Sequence, residues 1–171
     1  MACALIMNKQ EQKEFFQQII EQHKGILFKV ARVYCHDEHD RDDLMQEMMI
    51  QIWQSVPRYK EQFKISTWLY RISLNVAISF YRKNTTRANR FTVLNEQTSD
   101  LYNEEKVETE QQLDLLEQFI SELRELDKAL ILMYLEDKSH HEMAEILGLS
   151  VSNIGTKIGR IKDKLKTKFS P

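Results

Sequence analysis

Five side chains near the C terminus have the types and the spacing of a surface that reads double-stranded DNA. They are Ser152, Asn153, Thr156, Lys157 and Arg160, which recur at helical spacing. Asn and Lys hydrogen-bond base edges in the major groove, Ser and Thr do so less selectively, and Arg and Lys hold phosphates. The set is therefore predicted to read bases at its start and to contact phosphates at Arg160 and the lysines beyond it.

A helix-turn-helix is the element predicted to position these side chains. The run from Ser139 to Gly148 predicts a short helix with the small Ala144 at its core-facing centre, which lets a second helix approach closely. Gly148 supplies the positive φ that a tight turn requires, and Ser150 is a predicted N-cap of the second helix. Such a second helix enters the major groove with its N-terminal residues on the bases. The competing interpretation is a helical hairpin whose lysines form a solvated face.

A second stretch, residues 59–75, interleaves aromatic and basic side chains, among them Lys64, Trp68, Tyr70 and Arg71. Aromatic rings stack on unpaired bases while cations follow the backbone, a combination suited to single-stranded nucleic acid. Trp68 and Tyr70 are also compatible with a core, and the apolar series around Trp68 favours core packing for that residue.

A polar patch is predicted on the helix that precedes this stretch. Its apolar face is continuous and comprises Leu44, Met45, Met48, Met49, Ile52, Trp53 and Val56, with Pro57 at its end. Asp43, Gln46 and Glu47 project together from the opposite face, beside Ile50. Taken alone, this patch is interpreted as a solvated face whose acids suit the positive end of the helix dipole.

The net charge of −2 conceals a strong pattern along the chain. Residues 57–95 carry a net charge of +7, residues 96–127 carry −9, and residues 146–171 carry +5. Lys and Arg next to phosphates gain affinity by releasing condensed counterions, so the two basic blocks indicate two polyanion-facing surfaces. For either block alone, a solvated helix face is an equally good interpretation.

The whole chain is predicted to be helical. Gly and Pro number 4 and 2 among 171 residues, and no alternating strand pattern of useful length occurs. Helical periodicity is lost after Lys83, in a stretch rich in Thr, Asn and Glu. We expect an all-α fold of two small helical domains, at 1–90 and 113–171, joined by a flexible acidic linker at 91–112. Within the first domain, Gly25 could separate two helices, and Ser66 is a predicted N-cap.

These patterns jointly resemble a known family. Asp42-Asp43-Leu44-x-Gln46-Glu47, Trp53, Ser66-x-Trp68-Leu69-Tyr70-Arg71-Ile72-x-x-Asn75 and Arg82 resemble region 2 of the extracytoplasmic-function bacterial sigma factors. Leu123-x-x-Leu126, the helix Glu142-Met-Ala-Glu-Ile-Leu-Gly148, and Ser150-x-Ser-Asn-Ile-Gly-Thr-Lys-Ile-x-Arg160 resemble region 4. Two positions depart from the family pattern, Ser79 in place of Asp and Lys157 in place of Arg. Because Lys replaces a bidentate fork by a point charge, the promoter preference of relatives does not carry over.

The resemblance implies a subunit of bacterial RNA polymerase that recognises promoters and assists DNA opening. It implies that core polymerase is contacted by Asp42, Asp43, Gln46 and Glu47. It implies that the −10 promoter element is met by the segment from Lys64 to Lys83, with Arg71, Asn75 and Arg82 at the matching positions. It implies that the −35 element is read by Ser152, Asn153, Thr156, Lys157 and Arg160. An anti-sigma factor is the further partner that the resemblance implies.

No enzymatic activity, cofactor, metal site or small-molecule substrate is expected. Cys35, His36 and His39 offer only three donors in one predicted loop and cannot close a four-ligand site. No Gly-rich phosphate loop or nucleophile–base pair occurs. No apolar run approaches the roughly 18 residues of a membrane span, and the first residues lack the basic region of a signal peptide. A cytoplasmic protein that is not embedded in a membrane is therefore expected.

Two other functions are compatible with these patterns. A stand-alone helix-turn-helix repressor or activator would be a dimer that reads half-sites about 34 Å apart and would not use the acidic patch. A sigma-like protein that only sequesters an inhibitor would bind an anti-sigma factor but not core polymerase.

Overall fold

The all-α prediction is confirmed in the part of the chain that the computed structural model describes, residues 8–91 and 108–169. Side chains are described at 8–86, 113 and 115–169. Those ranges contain seven α-helices, one turn of 3-10 helix and no strand. The helices are α1 (Lys9–Tyr34), α2 (Glu38–Ser55), α3 (Ile65–Phe91), α4 (Glu108–Glu122), α5 (Glu125–Leu135), α6 (His140–Leu147) and α7 (Val151–Phe169).

Helix α1 is a single helix that begins with a capping box. The Asn8 side chain accepts the backbone amide of Glu11, and the Glu11 carboxylate accepts the amide of Asn8, both at 2.9 Å. These bonds satisfy donors that a helix start leaves unpaired. The break that Gly25 could have introduced does not form, because buried Ile19 and Leu27 on either side belong to one continuous packed face. That burial outweighs the roughly 1 kcal/mol that a helical glycine costs.

Helix α2 buries the predicted apolar stripe against α1 and α3. Leu44, Met48 and Ile52 are fully buried on this face. Pro57 lies in the 3-10 turn Val56–Arg58, which ends the helix because proline has no amide to continue the ladder. The first bundle is therefore α1, α2 and α3 around one core.

Helix α3 differs from its prediction at both ends. It begins at Ile65, and its first turn is closed by the Trp68 amide donating to the Lys64 carbonyl, so the prediction of Ser66 as N-cap is wrong. The helix also continues past Lys83 to Phe91, where apolar periodicity is absent. On that last stretch the hydroxyls of Thr85 and Thr86 donate to carbonyls one turn earlier.

The remaining helices form a second bundle. Helix α7 packs against α5 and α6, and its buried residues Ile154, Ile158 and Ile161 recur at helical spacing. They share a core with Met133 of α5 and Met143 of α6. This arrangement confirms that α6 and α7 form the predicted helix-turn-helix and that α7 is held by its apolar face.

The two bundles pack against each other along α5. Helix α5 contacts α1 and α3 on one side and α7 on the other, and α6 also contacts α3. As a result, six consecutive residues of α5, from Lys128 to Met133, are buried. Residues 92–107 of the predicted linker lie outside the described residues, and α3 and α4 take up its two ends. The domain boundaries at 90 and 113 stay a prediction.

Candidate nucleic-acid and protein interfaces

The turn of the helix-turn-helix is built by local backbone chemistry. Gly148 adopts φ 67° and ψ 32°, the left-handed conformation, and its amide donates to the Ala144 carbonyl at 2.9 Å. Ser150 then caps α7, because its hydroxyl accepts the Asn153 amide at 3.2 Å. The predictions for Gly148 and Ser150 are thus confirmed.

The first helix of this unit has its own capping box. The Ser139 hydroxyl accepts the Glu142 amide at 3.2 Å, and the Glu142 carboxylate accepts the Ser139 amide at 2.9 Å. Hydrogen bonds from the Ser139 amide and hydroxyl hold the pKa of Glu142 below its ordinary value. The cap therefore begins α6 at a defined residue.

The predicted base-reading residues lie on the solvent face of α7. Ser152, Asn153, Thr156 and Arg160 are exposed, and Lys157 is half-buried. The Thr156 hydroxyl donates to the Ser152 carbonyl at 3.0 Å, which leaves it as an acceptor for an outside donor. The structure brings these five residues together on one face, opposite the three buried isoleucines.

The acidic patch on α2 is also fully exposed. Asp42, Asp43, Gln46 and Glu47 face solvent, on the side opposite buried Leu44. Ile50 lies one turn beyond, with 53% of its surface exposed. A single exposed isoleucine is ordinary on a protein surface, so the patch is distinguished by its carboxylates.

The predicted −10 residues divide into two groups on α3 and at Lys64, directly before its first residue. Arg71 and Asn75 lie one turn apart and are exposed, as are Lys64 and Lys83. Arg82 is different, because its Nε donates to a Glu125 carboxylate oxygen of α5 at 3.0 Å. A hydrogen bond from its own backbone amide and the bond from Arg82 hold the pKa of Glu125 below its ordinary value.

The aromatic residues of 59–75 do not offer free stacking faces. Trp68 is half-buried against the Tyr59 ring at a centroid distance of 4.9 Å, and Tyr59 stacks on Phe15 at 5.6 Å. Tyr70 is 2% exposed, and the Lys138 ammonium lies 5.6 Å from its ring centroid. Burial raises the pKa of the Tyr70 hydroxyl to about 12. Core packing of Trp68 is thus confirmed, and Tyr70 is covered by the second bundle.

One residue at this junction, Lys128, was not predicted from the sequence. Lys128 is 1% exposed in α5, and its ammonium lies 4.7 Å from the centroid of the Tyr81 ring on α3. Burial lowers the pKa of Lys128. The signal that could have identified it is a lysine directly before the apolar run from Ala129 to Leu135.

Comparison with known proteins identifies the two bundles. Residues 19–87 match Sigma-70 region 2, and residues 113–165 match Sigma-70, region 4. The chain is 32% identical over 132 residues to the RNA polymerase sigma factor SigZ of Bacillus subtilis, which covers 77% of this chain and 73% of the relative. It belongs to the extracytoplasmic-function RNA polymerase sigma factors. Its sigma factor function, promoter-directed transcription initiation, follows from this membership.

Other relatives of this sigma factor agree along most of the chain. The RNA polymerase sigma factor CnrH of Cupriavidus metallidurans is 29% identical over 160 residues, which cover 88% of this chain and 84% of the relative. A structure of CnrH in complex with the cytosolic domain of CnrY superposes with a TM-score of 0.66 at 23% identity, covering 96% of this chain and 90% of that one. The sigma factor RpoE of Bartonella quintana, in complex with the anti-sigma factor NepR, gives 0.71 at 16% identity, covering 91% and 96%. These superpositions establish the fold.

The described residues of this sigma factor contain neither a membrane-crossing helix nor a metal cluster. No described helix is long and apolar enough to span a bilayer. No group of three or more His, Cys, Asp or Glu side chains within the described ranges could hold a metal ion.

Proposed function

We propose that this sigma factor works through three surfaces: the α2 acidic face on core polymerase, the exposed side of α3 on the −10 element, and the solvent face of α7 on the −35 element. The observation that carries the proposal is the presence, on one chain, of an exposed acidic face and a capped helix-turn-helix with an exposed recognition helix. Run-off transcription with core polymerase and a promoter library tests it. A protein that neither binds core nor changes initiation sites refutes it.

The polymerase contact is assigned to Asp42, Asp43, Gln46 and Glu47. We expect Asp43→Lys or Glu47→Lys to abolish binding to core, because either change reverses a charge in the middle of an exposed patch while the buried face of α2 stays intact. Binding of immobilised core to the variants measures this, and circular dichroism checks the fold. Glu21→Lys, an exposed charge reversal on α1, is the matched control. Full affinity of the α2 variants would mean that the patch is only solvated.

The −35 contact is assigned to Ser152, Asn153, Thr156, Lys157 and Arg160. We expect Lys157→Ala to weaken −35-dependent initiation by roughly 1–3 kcal/mol if the contact reads a base. Lys166→Ala removes an equal charge from the other side of α7, nine residues away. As a predicted phosphate contact, Lys166 is expected to affect initiation equally on all promoters and to leave the promoter preference unchanged. An unchanged preference in the Lys157 variant would remove that residue from the reading set.

The −10 contact is assigned to Lys64, Arg71, Asn75, Arg82 and Lys83. We expect Arg71→Ala and Asn75→Ala to reduce promoter opening, measured as permanganate reactivity of thymines around the −10 element in the presence of core. Gln22→Ala, an exposed polar truncation on α1 outside this segment, is the matched control. Equal reactivity in all three variants would count against this assignment.

The remaining parts of the proposal concern partners and location. A protein inhibitor of the anti-sigma class is proposed as a partner, since the solved RpoE neighbour is bound to one. The sigma factor is proposed to act in the cytoplasm, to have no enzymatic activity and no small-molecule substrate, and to divide into domains at 1–90 and 113–171. Gel filtration with a shift assay on duplex DNA tests the stand-alone repressor alternative, which requires a dimer that binds tightly without polymerase.

A further inference from the structure

The two bundles meet along a seam of ion pairs that all have the same polarity. Lys29 Nζ lies 2.5 Å from a Glu136 carboxylate oxygen, and Arg32 lies 2.6 Å from Glu117. The third pair is Arg82 with Glu125, at 3.0 Å. In every pair the first bundle supplies the cation and the second bundle supplies the carboxylate. We call these three pairs the interdomain seam.

The interdomain seam encloses a buried layer. The Tyr34 hydroxyl of α1 donates to the Glu125 carbonyl at 2.5 Å, and the Lys128 ammonium lies over the Tyr81 ring. Glu125, Lys128 and Leu132 follow one another at helical spacing along α5, with the C-cap residue Glu136 next in the series, so one stripe of α5 faces the first bundle. Leu132, in the middle of that stripe, is 5% exposed.

This contact occupies part of the surface that the −10 element would need. Arg82 is bound to a carboxylate, Tyr81 lies under an ammonium, and Tyr70 is buried beneath Lys138. Arg71 and Asn75 remain exposed on the same helix. The Glu125 carboxylate of α5 therefore occupies the guanidinium of Arg82, where a phosphate would bind, while Arg71 and Asn75 stay open to an incoming strand.

We infer that the second bundle is an intramolecular inhibitor of the −10 surface, and that the interdomain seam sets the balance between a closed and an open form. This inference rests on the proposed assignment of the −10 contact to α3. The seam pairs are largely exposed, and exposed pairs each shift an equilibrium by only a few-fold. The closed form is therefore reversible, and a polyanion or polymerase that binds the open form draws the chain toward it.

A charge-reversal cycle on the two pairs that involve no −10 residue tests the inference. The variants are Glu117→Lys with Glu136→Lys, Lys29→Glu with Arg32→Glu, and all four changes together, which restores opposite charges across the seam. The probe is a short fluorescein-labelled single-stranded DNA of mixed sequence. It forms no duplex, so it offers α7 no major groove to enter. Binding is followed by fluorescence anisotropy. The control variant is Glu14→Lys with Glu21→Lys on α1. It changes the net charge by the same amount as the first variant, at exposed positions outside the interdomain seam.

Disruption of the interdomain seam is expected to raise the affinity for the single-stranded probe. Two attractive pairs become repulsive in the first variant, so the open fraction and the apparent affinity rise by about tenfold beyond the Glu14/Glu21 control. The four-change variant returns to within about twofold of the parent, because its pairs attract again. The Lys29/Arg32 variant makes the same two pairs repulsive, so it is expected to bind more tightly than the parent despite its lower net charge. Affinities that follow net charge alone, with the Lys29/Arg32 variant weaker than the parent, overturn the inference.

A covalent lock separates this inference from the proposed function. Lys29→Cys and Glu136→Cys, in a Cys3→Ser and Cys35→Ala background, are joined by a cleavable bismaleimide. The joined protein is expected to lose single-strand binding and run-off transcription with core, and cleavage is expected to restore both. Full single-strand binding in the joined state overturns the inhibitory contact. If the unjoined protein binds the strand but does not initiate with core, the proposed function fails while the seam result stands.

Discussion

Replacing Gly148 with alanine tests whether the helix-turn-helix depends on one backbone conformation. Gly148 has φ 67°, and an added Cβ would meet no atom within 4 Å, so the substitution introduces backbone strain and no clash. A non-glycine residue in the left-handed region costs about 1–2 kcal/mol. Alanine also restricts the unfolded chain, which returns about 0.4–1 kcal/mol. The expected net loss in the free energy of unfolding is therefore about 1 kcal/mol.

Gly159→Ala is the matched control for this prediction. Gly159 lies inside α7 of the same bundle, without a positive φ, and its added Cβ would also meet open space. Alanine is the better helix former there, by about 0.5–1 kcal/mol. The same chemical change is therefore expected to destabilise the bundle at Gly148 and to stabilise it at Gly159.

Urea unfolding followed by circular dichroism at 222 nm measures both variants. The expected separation between them is about 1.5–2 kcal/mol, which appears as a difference in midpoint at unchanged slope. Gly148→Asn is expected to fall between them, because asparagine enters the left-handed region more readily than alanine. A Gly148→Ala variant as stable as Gly159→Ala would refute the assignment of the turn to a left-handed residue.

Three further predictions concern buried or capped polar groups. Ser73→Ala is expected to raise stability by about 1 kcal/mol, since the Ser73 hydroxyl is buried without a partner among the described residues; a lower urea midpoint would contradict this. Ser139→Ala is expected to cost about 1 kcal/mol through the lost cap. Ser139→Ala should also weaken the dependence of the free energy of unfolding on pH in the acid range. The lowered pKa of Glu142 contributes stability above its unfolded pKa, and this stability is lost as pH falls through the folded value. An unchanged pH dependence would count against the Ser139–Glu142 capping box. Burial lowers the pKa of Lys128, so the folded state binds fewer protons and wild-type stability rises with pH below the unfolded value. Lys128→Met is expected to remove that rise without loss of stability near neutrality, as parallel urea titrations would measure, and equal pH slopes in both proteins would refute it.

Local signals predicted those parts of the fold that local chemistry controls. The period of the apolar stripe on α2 predicted which residues face the core, and Gly148 with Ser150 predicted the turn and the cap. Such features depend on a few neighbouring residues, so they can be read along the chain. The family motifs are of the same kind, since their spacing reports side chains that share one helix face.

Local sequence patterns mispredicted helix boundaries where tertiary packing or helix continuation overrides the preference of single residues. Gly25 lies within an unbroken helix because buried side chains on both sides hold α1 to its neighbours. Ser66 was a plausible cap, yet α3 begins one residue earlier. Helix α3 also continues past its apolar pattern to Phe91, because each further residue of a formed helix adds a backbone hydrogen bond.

The electrostatics of the DNA-facing surfaces have two origins. Segment charges along the chain indicated two basic blocks and an acidic one between them, because each side chain carries its charge wherever the fold places it. Which cations are already paired is a property of three-dimensional contact. Arg82 and Glu125 are 43 residues apart, and only the packing of α5 on α3 brings them to 3.0 Å. The burial of Lys128 over Tyr81 arises in the same way. Family, helices and the candidate base-reading residues thus follow from order and spacing, whereas the interdomain seam exists only because the two bundles pack against each other along α5.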